Sequence, residues 1–128
     1  MQITEIYADG TGQTQLRNTR VNLARRDFAP PSAPMGVSSE TFLTTGVFLE
    51  LPPGWDPHYH ATPRKQLVVV LNGHLNIATT GGASADFRRG DVFVLNDKDS
   101  RGHLSLVQGR EPVDLFLVGV ADPQESSD

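Results

Sequence analysis

The stretch Gln66-Leu67-Val68-Val69-Val70-Leu71-Asn72-Gly73-His74-Leu75-Asn76-Ile77 decides the fold class of this chain. Two runs rich in Leu, Val and Ile flank the dipeptide Asn72-Gly73. Asn-Gly favours the positive φ angles of a tight type I′ turn, which joins two antiparallel strands. The stretch therefore predicts two β-strands connected as a hairpin.

The rest of the chain has the same character. Twelve Gly and nine Pro punctuate short apolar runs, and no run has the length and period of a long helix. This pattern is typical of a β-sandwich or β-barrel. We predict strands at 2–7, 19–28, 41–51, 57–60, 65–71, 74–80, 84–88, 91–95, 103–108 and 113–120, with further turns at 81–82 and 108–112.

Two segments differ from these predicted strands. Residues 29–34 contain three prolines, which cannot donate ladder hydrogen bonds, so we predict an extended crossing segment there. Residues 121–128 are polar and acidic, and we predict a disordered tail. With 128 residues and 13.9 kDa, the chain 1–128 is expected to form a single domain.

Composition excludes several classes of function. Eleven Lys and Arg against fifteen Asp and Glu give a net charge of −4, which argues against nucleic acid or an anionic membrane as the main partner. The absence of Cys excludes disulfides and thiolate metal sites. No apolar run reaches the length of a membrane span, and the N-terminus lacks the pattern of a signal peptide. We therefore expect a cytoplasmic protein.

Two predicted strands are apolar on both faces. Every residue of 67–71 and 92–95 is Leu, Val or Phe. A two-layer fold buries only one face of each strand, so the second face needs a cover. Either the N-terminal strands or a second copy of the chain could supply it, and we expect a homodimer with Val69 on the face opposite Gln66.

Three histidines form the candidate site. His58 and His60 are two residues apart, and on a strand these positions project from the same face. His103 follows Gly102 at the start of a later predicted strand. Imidazoles without thiolates suit a divalent transition metal such as Fe, Mn, Ni or Zn.

The order of these residues resembles the two sequence motifs of the cupin superfamily. Gly54, His58-Tyr59-His60, Gln66 and Gly73 match the first motif, and Gly90 to His103 matches the second. The resemblance covers about residues 40–120. It implies an all-β double-stranded β-helix, the cupin jelly-roll barrel.

The resemblance also implies a set of metal ligands: His58, His60, Gln66 and His103. Gln66 stands where the family has Glu, and Asn96-Asp97-Lys98 replaces the usual Pro-x-Gly. A neutral amide leaves the metal its full charge and cannot act as a general base. Asp56 and Asp97 are the nearest acidic residues in the sequence, but their spacing does not direct either to the site.

Neighbouring residues suggest a small-molecule substrate. Arg64 and Arg101 lie in loops next to the motifs and could bind an anionic group, although a solvated loop explains them equally well. Trp55 could stack on a ring. His74 follows the predicted turn, and we expect it to be exposed and without a role.

These residues favour a metal-dependent small-molecule enzyme with Lewis-acid or dioxygenase-type chemistry. One alternative is a metal-free isomerase, cyclase or dehydratase that uses the same histidines as acid and base. The other is a non-catalytic module that binds or senses a small molecule. The catalytic residues, the metal and the substrate stay open at this point, because one fold serves all three functions.

Overall fold

Eleven β-strands make up the described part of the chain, residues 1–122, in the computed structural model. They are β1 (Gln2–Ala8), β2 (Thr14–Arg20), β3 (Ala24–Arg26), β4 (Met35–Val37), β5 (Leu43–Leu51), β6 (Gln66–Asn72), β7 (His74–Thr79), β8 (Ser84–Arg88), β9 (Val92–Asn96), β10 (His103–Gln108) and β11 (Val113–Val120). Within these residues there is no helix of the length and apolarity that a membrane crossing requires.

Two sheets enclose the core. The larger sheet has the strand order β2-β1-β9-β6-β11-β5, and the smaller has the order β10-β7-β8. Their inner faces bury apolar side chains that alternate along each strand, as period 2 requires. The most deeply buried are Ile6, Val68, Val70, Leu75, Ile77, Phe93 and Val113. This all-β jelly roll confirms the predicted fold class.

The predicted hairpin at 66–77 is wrong. β6 pairs with β9 and β11, whereas β7 pairs with β8 and β10, so the two strands lie in different sheets. Asn72-Gly73 is the corner between them. Gly73 has φ +88°, and a Cβ there would lie 2.4 Å from the Pro112 carbonyl oxygen. Asn-Gly can join two strands of one sheet in a hairpin or connect strands of two different sheets. Here it connects different sheets, and β6 and β7 both bury apolar side chains in one core.

Most of the other strand predictions are confirmed, with three corrections. Residues 19–28 are not one strand, because they divide between the end of β2 and β3. Residues 29–34 form a turn that joins β3 to β4 in a small separate sheet, instead of an extended crossing segment. Residues 57–60 form no strand, and His60 alone makes a bridge, to His103. Residues 123–128 of the predicted tail lie outside the described residues, whereas its first residue, Ala121, donates its backbone N–H to the Phe42 carbonyl at 2.8 Å.

A buried carboxylate joins the N-terminal strands to the core sheet. Glu5 on β1 is 5% exposed. It accepts two hydrogen bonds of 3.1 Å from Arg17, one of 2.7 Å from Thr19 and one of 2.8 Å from Asn96. Burial raises the pKa of Glu5, but the hydrogen bonds from Arg17, Asn96 and Thr19 outweigh it and hold the pKa at about 2, against an ordinary value of 4.5. Ionised Glu5 therefore fastens β1 between β2 and β9.

We predict that Glu5→Gln destabilises the fold by about 2 kcal/mol at neutral pH. A shift of one pKa unit corresponds to about 1.4 kcal/mol of stabilisation, and the Gln side chain retains part of that stabilisation because it keeps some of the hydrogen bonds. The folded pKa is depressed, so the contribution is fully present above pH 4.5 and is lost as the pH falls towards 2. Urea unfolding of both proteins at neutral and acidic pH measures it. Glu111→Gln, at an exposed turn, is the control. A difference in unfolding free energy between wild type and Glu5→Gln that grows at acidic pH would contradict the stabilising role of ionised Glu5.

Candidate functional site

A cavity of about 510 Å³ lies between the two sheets. Most of its wall is apolar. The apolar side chains that line the cavity are Trp55 and, from the two sheets, Leu49, Leu51, Val68, Leu75, Ile77, Phe93, Leu95, Leu115 and Leu117. Its polar groups include His58, His60, Gln66 and His103, the four predicted metal ligands. The volume falls in the range of small-molecule binding sites in proteins.

His60 and His103 are held together by their backbones. The His60 amide donates to the His103 carbonyl at 3.1 Å, and the His103 amide donates to the His60 carbonyl at 3.0 Å. Their rings lie with centroids 4.8 Å apart. Gly102 permits this approach, because it has φ +87° and a Cβ there would lie 2.2 Å from the His60 carbonyl carbon. The bridge therefore brings two imidazoles, 43 positions apart in sequence, to one wall of the cavity.

Asp97 orients the His103 ring. His103 is 1% exposed, and its Nδ1 lies 2.6 Å from Oδ2 of Asp97, which is 0% exposed. The other carboxylate oxygen accepts the backbone N–H of Thr62 at 3.1 Å. Because a carboxylate only accepts, His103 Nδ1 carries the ring proton in this pair. In the neutral imidazole, Nε2 then keeps its lone pair.

His60 has the same tautomer for a different reason. Its Nδ1 lies 2.9 Å from the backbone carbonyl oxygen of His58, which can only accept a hydrogen bond. Nδ1 therefore carries a proton, and in the neutral ring Nε2 of His60 keeps its lone pair as well. Two imidazole lone pairs are thus available at the same cavity wall.

His58 does not join this pair in the expected way. Its side chain is 83% exposed, and Nε2 lies 3.5 Å from Asp56 Oδ2. The i and i+2 rule fails here because residues 57–60 are not a strand. Within residues 1–122, no group of three or more His, Cys, Asp or Glu side chains is placed to hold a metal ion. The four predicted ligands share a cavity, but the three histidines do not converge on one point.

Gln66 is linked to the His103 pair through Thr62. The Thr62 hydroxyl donates to the Gln66 side-chain oxygen at 3.2 Å and also to the Arg64 carbonyl, while the Thr62 backbone N–H donates to Asp97. Thr62 is buried. One residue thus positions both the amide at the start of β6 and the carboxylate behind His103.

Sequence reasoning missed the roles of Asp97 and Thr62. Asp97 stood out only as a nearby acidic residue, because its loop to His103 has no period that would direct the carboxylate to the ring. Thr62 carries no signal in the sequence at all.

Among the three residues predicted to bind substrate, Trp55 alone lines the cavity. Arg64 points away, because its Nη1 donates to Thr44 Oγ1 on β5 at 3.2 Å. It lines a separate groove together with Lys65 and Lys98. Arg101 is exposed and outside the cavity, where its backbone N–H donates to Gly12. His74 also lies outside, with Nε2 2.9 Å from Asp86 Oδ1.

Structural comparison identifies the fold. The cupin domain of Schizosaccharomyces pombe Cnp3 aligns with a TM-score of 0.51 and 15% identity over 89% of this chain and 77% of that one. This chain therefore has the cupin fold, as the motifs predicted.

Two other solved structures are similar at lower TM-scores. Protein NMB1881 from Neisseria meningitidis aligns with a TM-score of 0.45 and 12% identity, over 65% of this chain and 84% of that one. A putative ethanolamine utilization protein q from Salmonella typhimurium aligns with a TM-score of 0.44 and 14% identity, over 95% of this chain and 98% of that one. No family model and no curated protein sequence matches the chain.

We predict that Asp97→Asn costs about 1–3 kcal/mol of folding free energy, although it changes no volume. If the Asn oxygen accepts from His103, its NH₂ group faces the Thr62 N–H, so two buried donors oppose each other. Urea unfolding measures the loss. Asp99→Asn is the matched control, because Asp99 is exposed and has φ 62°, which Asn also tolerates. Equal stability of Asp97→Asn and wild type would contradict the assigned pair.

Proposed function

We propose that this chain is a small-molecule-binding cupin protein that uses the Nε2 atoms of His60 and His103 as its polar contacts. The observation that carries the proposal is that both rings line one apolar cavity with Nδ1 already engaged. An unprotonated Nε2 accepts a hydrogen bond. The cavity therefore suits a ligand with an apolar body and a donor group, such as a hydroxyl, at one end.

A divalent transition metal at the same two nitrogens is the second candidate. The observation that favours it is the pair of acceptors behind the rings, because metal-binding imidazoles generally donate their other N–H to a carboxylate or carbonyl. Gln66 and His58 would complete the ligand set, and His58 would have to leave Asp56 to do so. A bound metal would supply Lewis-acid or O₂ chemistry, with Fe, Mn, Ni and Zn all compatible with such ligands.

The protein's own residues would act in either case. Asp97 and the His58 carbonyl keep both ring protons on Nδ1, and the apolar wall would contact the apolar body of the ligand. If the protein is an enzyme without a metal, His60 and His103 are the groups that can take up a substrate proton. We retain the expectation of a cytoplasmic protein, which its composition supports.

The cavity can be tested through Trp55, the single tryptophan of the chain and part of the cavity wall. We predict that p-cresol changes Trp55 fluorescence saturably and binds more tightly than toluene, which has the same ring without the hydroxyl. One hydrogen bond is worth about 1 kcal/mol, or about fivefold in affinity.

His60→Ala or His103→Ala, whichever removes the Nε2 that accepts the single phenol proton, should reduce this preference for p-cresol, whereas His74→Ala should keep it. Comparing two ligands in each variant separates loss of the hydrogen bond from loss of the fold, because a collapsed cavity loses toluene as well. An unchanged preference in both cavity variants would refute the proposed contact.

For the metal, we predict that Co²⁺ quenches Trp55 fluorescence at a saturable site, which His60→Ala and His103→Ala abolish and His74→Ala preserves. Gln66→Glu should tighten Co²⁺ binding by at least tenfold if the side chain at position 66 reaches the metal, because it adds a negative charge beside a dication. Unchanged Co²⁺ affinity together with a lower melting temperature would place Gln66 outside the ligand set.

A further inference from the structure

The polar end of the cavity contains hydrogen-bond acceptors that have no donor. In their neutral rings, Nε2 of His60 and Nε2 of His103 are acceptors without a partner within residues 1–122, because both rings are engaged through Nδ1. A ligand hydroxyl has one proton and can donate to one of them only. A ligand that satisfies both imidazoles therefore carries more than one donor N–H or O–H.

Ser105 adds a third acceptor from the same strand as His103. The two residues occupy positions i and i+2 of β10, so their side chains project from the same face of the strand, and both line the cavity. Ser105 is 8% exposed, and its hydroxyl has no hydrogen-bond partner within the described residues. A buried hydroxyl without a partner is costly, so an occupant that contacts it would stabilise the site.

A primary ammonium group matches this set of acceptors. It has three N–H donors and no acceptor, whereas a hydroxyl has a single donor. The two Nε2 atoms and the Ser105 oxygen supply three acceptors. The Gln66 oxygen already accepts from Thr62 and retains a second lone pair, so the Gln66 NH₂ group is the donor that an ammonium would have to avoid.

The formal charges that line the cavity have one sign. They belong to Glu50 and Asp56, and no Lys or Arg within residues 1–122 lines the cavity. Arg64 and Arg101, on which the expectation of an anionic substrate depends, lie outside it. Glu50 and Asp56 are exposed, so solvent screens both charges. The cavity nevertheless has no positive side chain with which to pair an anion.

The carboxylate of Asp97 is the least screened charge near the polar end. It is 0% exposed and binds the His103 ring and the Thr62 backbone N–H, and no Lys or Arg of the described chain pairs with it. With His103 neutral, this pair carries a negative charge that no other side chain offsets. A positive group at Nε2 would lie across the same ring from Asp97, where buried surroundings screen the attraction less than water does.

We propose that the ligand of this cavity is a protonated primary amine on an apolar body, with its ammonium group at His60, His103 and Ser105. This inference depends on the proposed function, because it uses the same cavity and the same Nε2 atoms. The ammonium supplies a donor to each of the three acceptors and balances the charge of Asp97 through the His103 ring. The apolar body contacts the wall formed by the two sheets.

Ligands that share one ring and differ in the attached group test this inference. Benzyl alcohol and benzylamine differ only in the terminal group, and the amine is protonated at neutral pH as Lys is. We expect benzylamine to change Trp55 fluorescence saturably and to bind about tenfold more tightly than benzyl alcohol. Benzoate should bind more weakly than toluene. EDTA in every titration keeps metal ions off the imidazoles.

Two variants separate the acceptor from the charge. Ser105→Ala removes one acceptor and should reduce the preference for benzylamine over benzyl alcohol about fivefold, whereas Ser84→Ala on exposed β8 should keep it. Asp97→Asn removes the charge and should reduce the preference about tenfold. Toluene binding shows whether each variant retains the cavity, and Ser105→Ala keeps the test decisive if Asp97→Asn fails to fold.

The outcomes distinguish this inference from the proposed function. If benzyl alcohol binds and benzylamine binds no more tightly, or if either folded variant keeps the full preference, the ammonium ligand is overturned while the cavity remains a small-molecule site. Tighter binding of benzoate than of benzylamine would also overturn it, because a protonated His103 would then donate from Nε2. If toluene, benzyl alcohol and benzylamine all fail to bind saturably, the proposed function is refuted as well.

Discussion

The buried pair formed by Asp97 and His103 is the interaction on which the rest of the site depends. An ionised carboxylate with no exposed surface is costly unless each of its oxygens has a donor. Here one oxygen takes the His103 ring proton and the other takes the Thr62 backbone N–H. Satisfying this one carboxylate therefore fixes the start of β10, the loop before β6 and the tautomer of a cavity histidine.

Much of the fold could be predicted because its cause is local. Short apolar runs, alternating or continuous, and frequent turn residues specify strands, and the eight strand predictions that hold are of this kind. β2 was missed because its sequence is polar, and its stability comes from pairing and from the Glu5–Arg17 contact. The hairpin at Asn72-Gly73 was wrong because a turn signal does not say which sheet the next strand joins.

The site could be predicted only in part, because contacts between residues far apart in sequence leave no local pattern. The motif resemblance selects His58, His60, Gln66 and His103, and the structure brings His60 and His103 together through a backbone bridge between residues far apart in sequence. Strand periodicity also placed His58 beside His60, but no strand forms there. Asp97 acts through a loop contact, for which a single sequence has no periodic signature. Arg64 is close to Gln66 in sequence, but its side chain donates a hydrogen bond to Thr44 and does not line the cavity.

The central claim is that His60 and His103 both carry their ring proton on Nδ1 and present an unprotonated Nε2 to one cavity. Long-range ¹H–¹⁵N NMR of the imidazole rings in the wild-type protein tests it most directly, with His60→Ala and His103→Ala used to assign the signals. The account predicts two Nδ1–H tautomers at neutral pH, with the His103 Nδ1 proton shifted downfield by its carboxylate partner. An Nε2–H tautomer at either ring, in the absence of ligand, would contradict it.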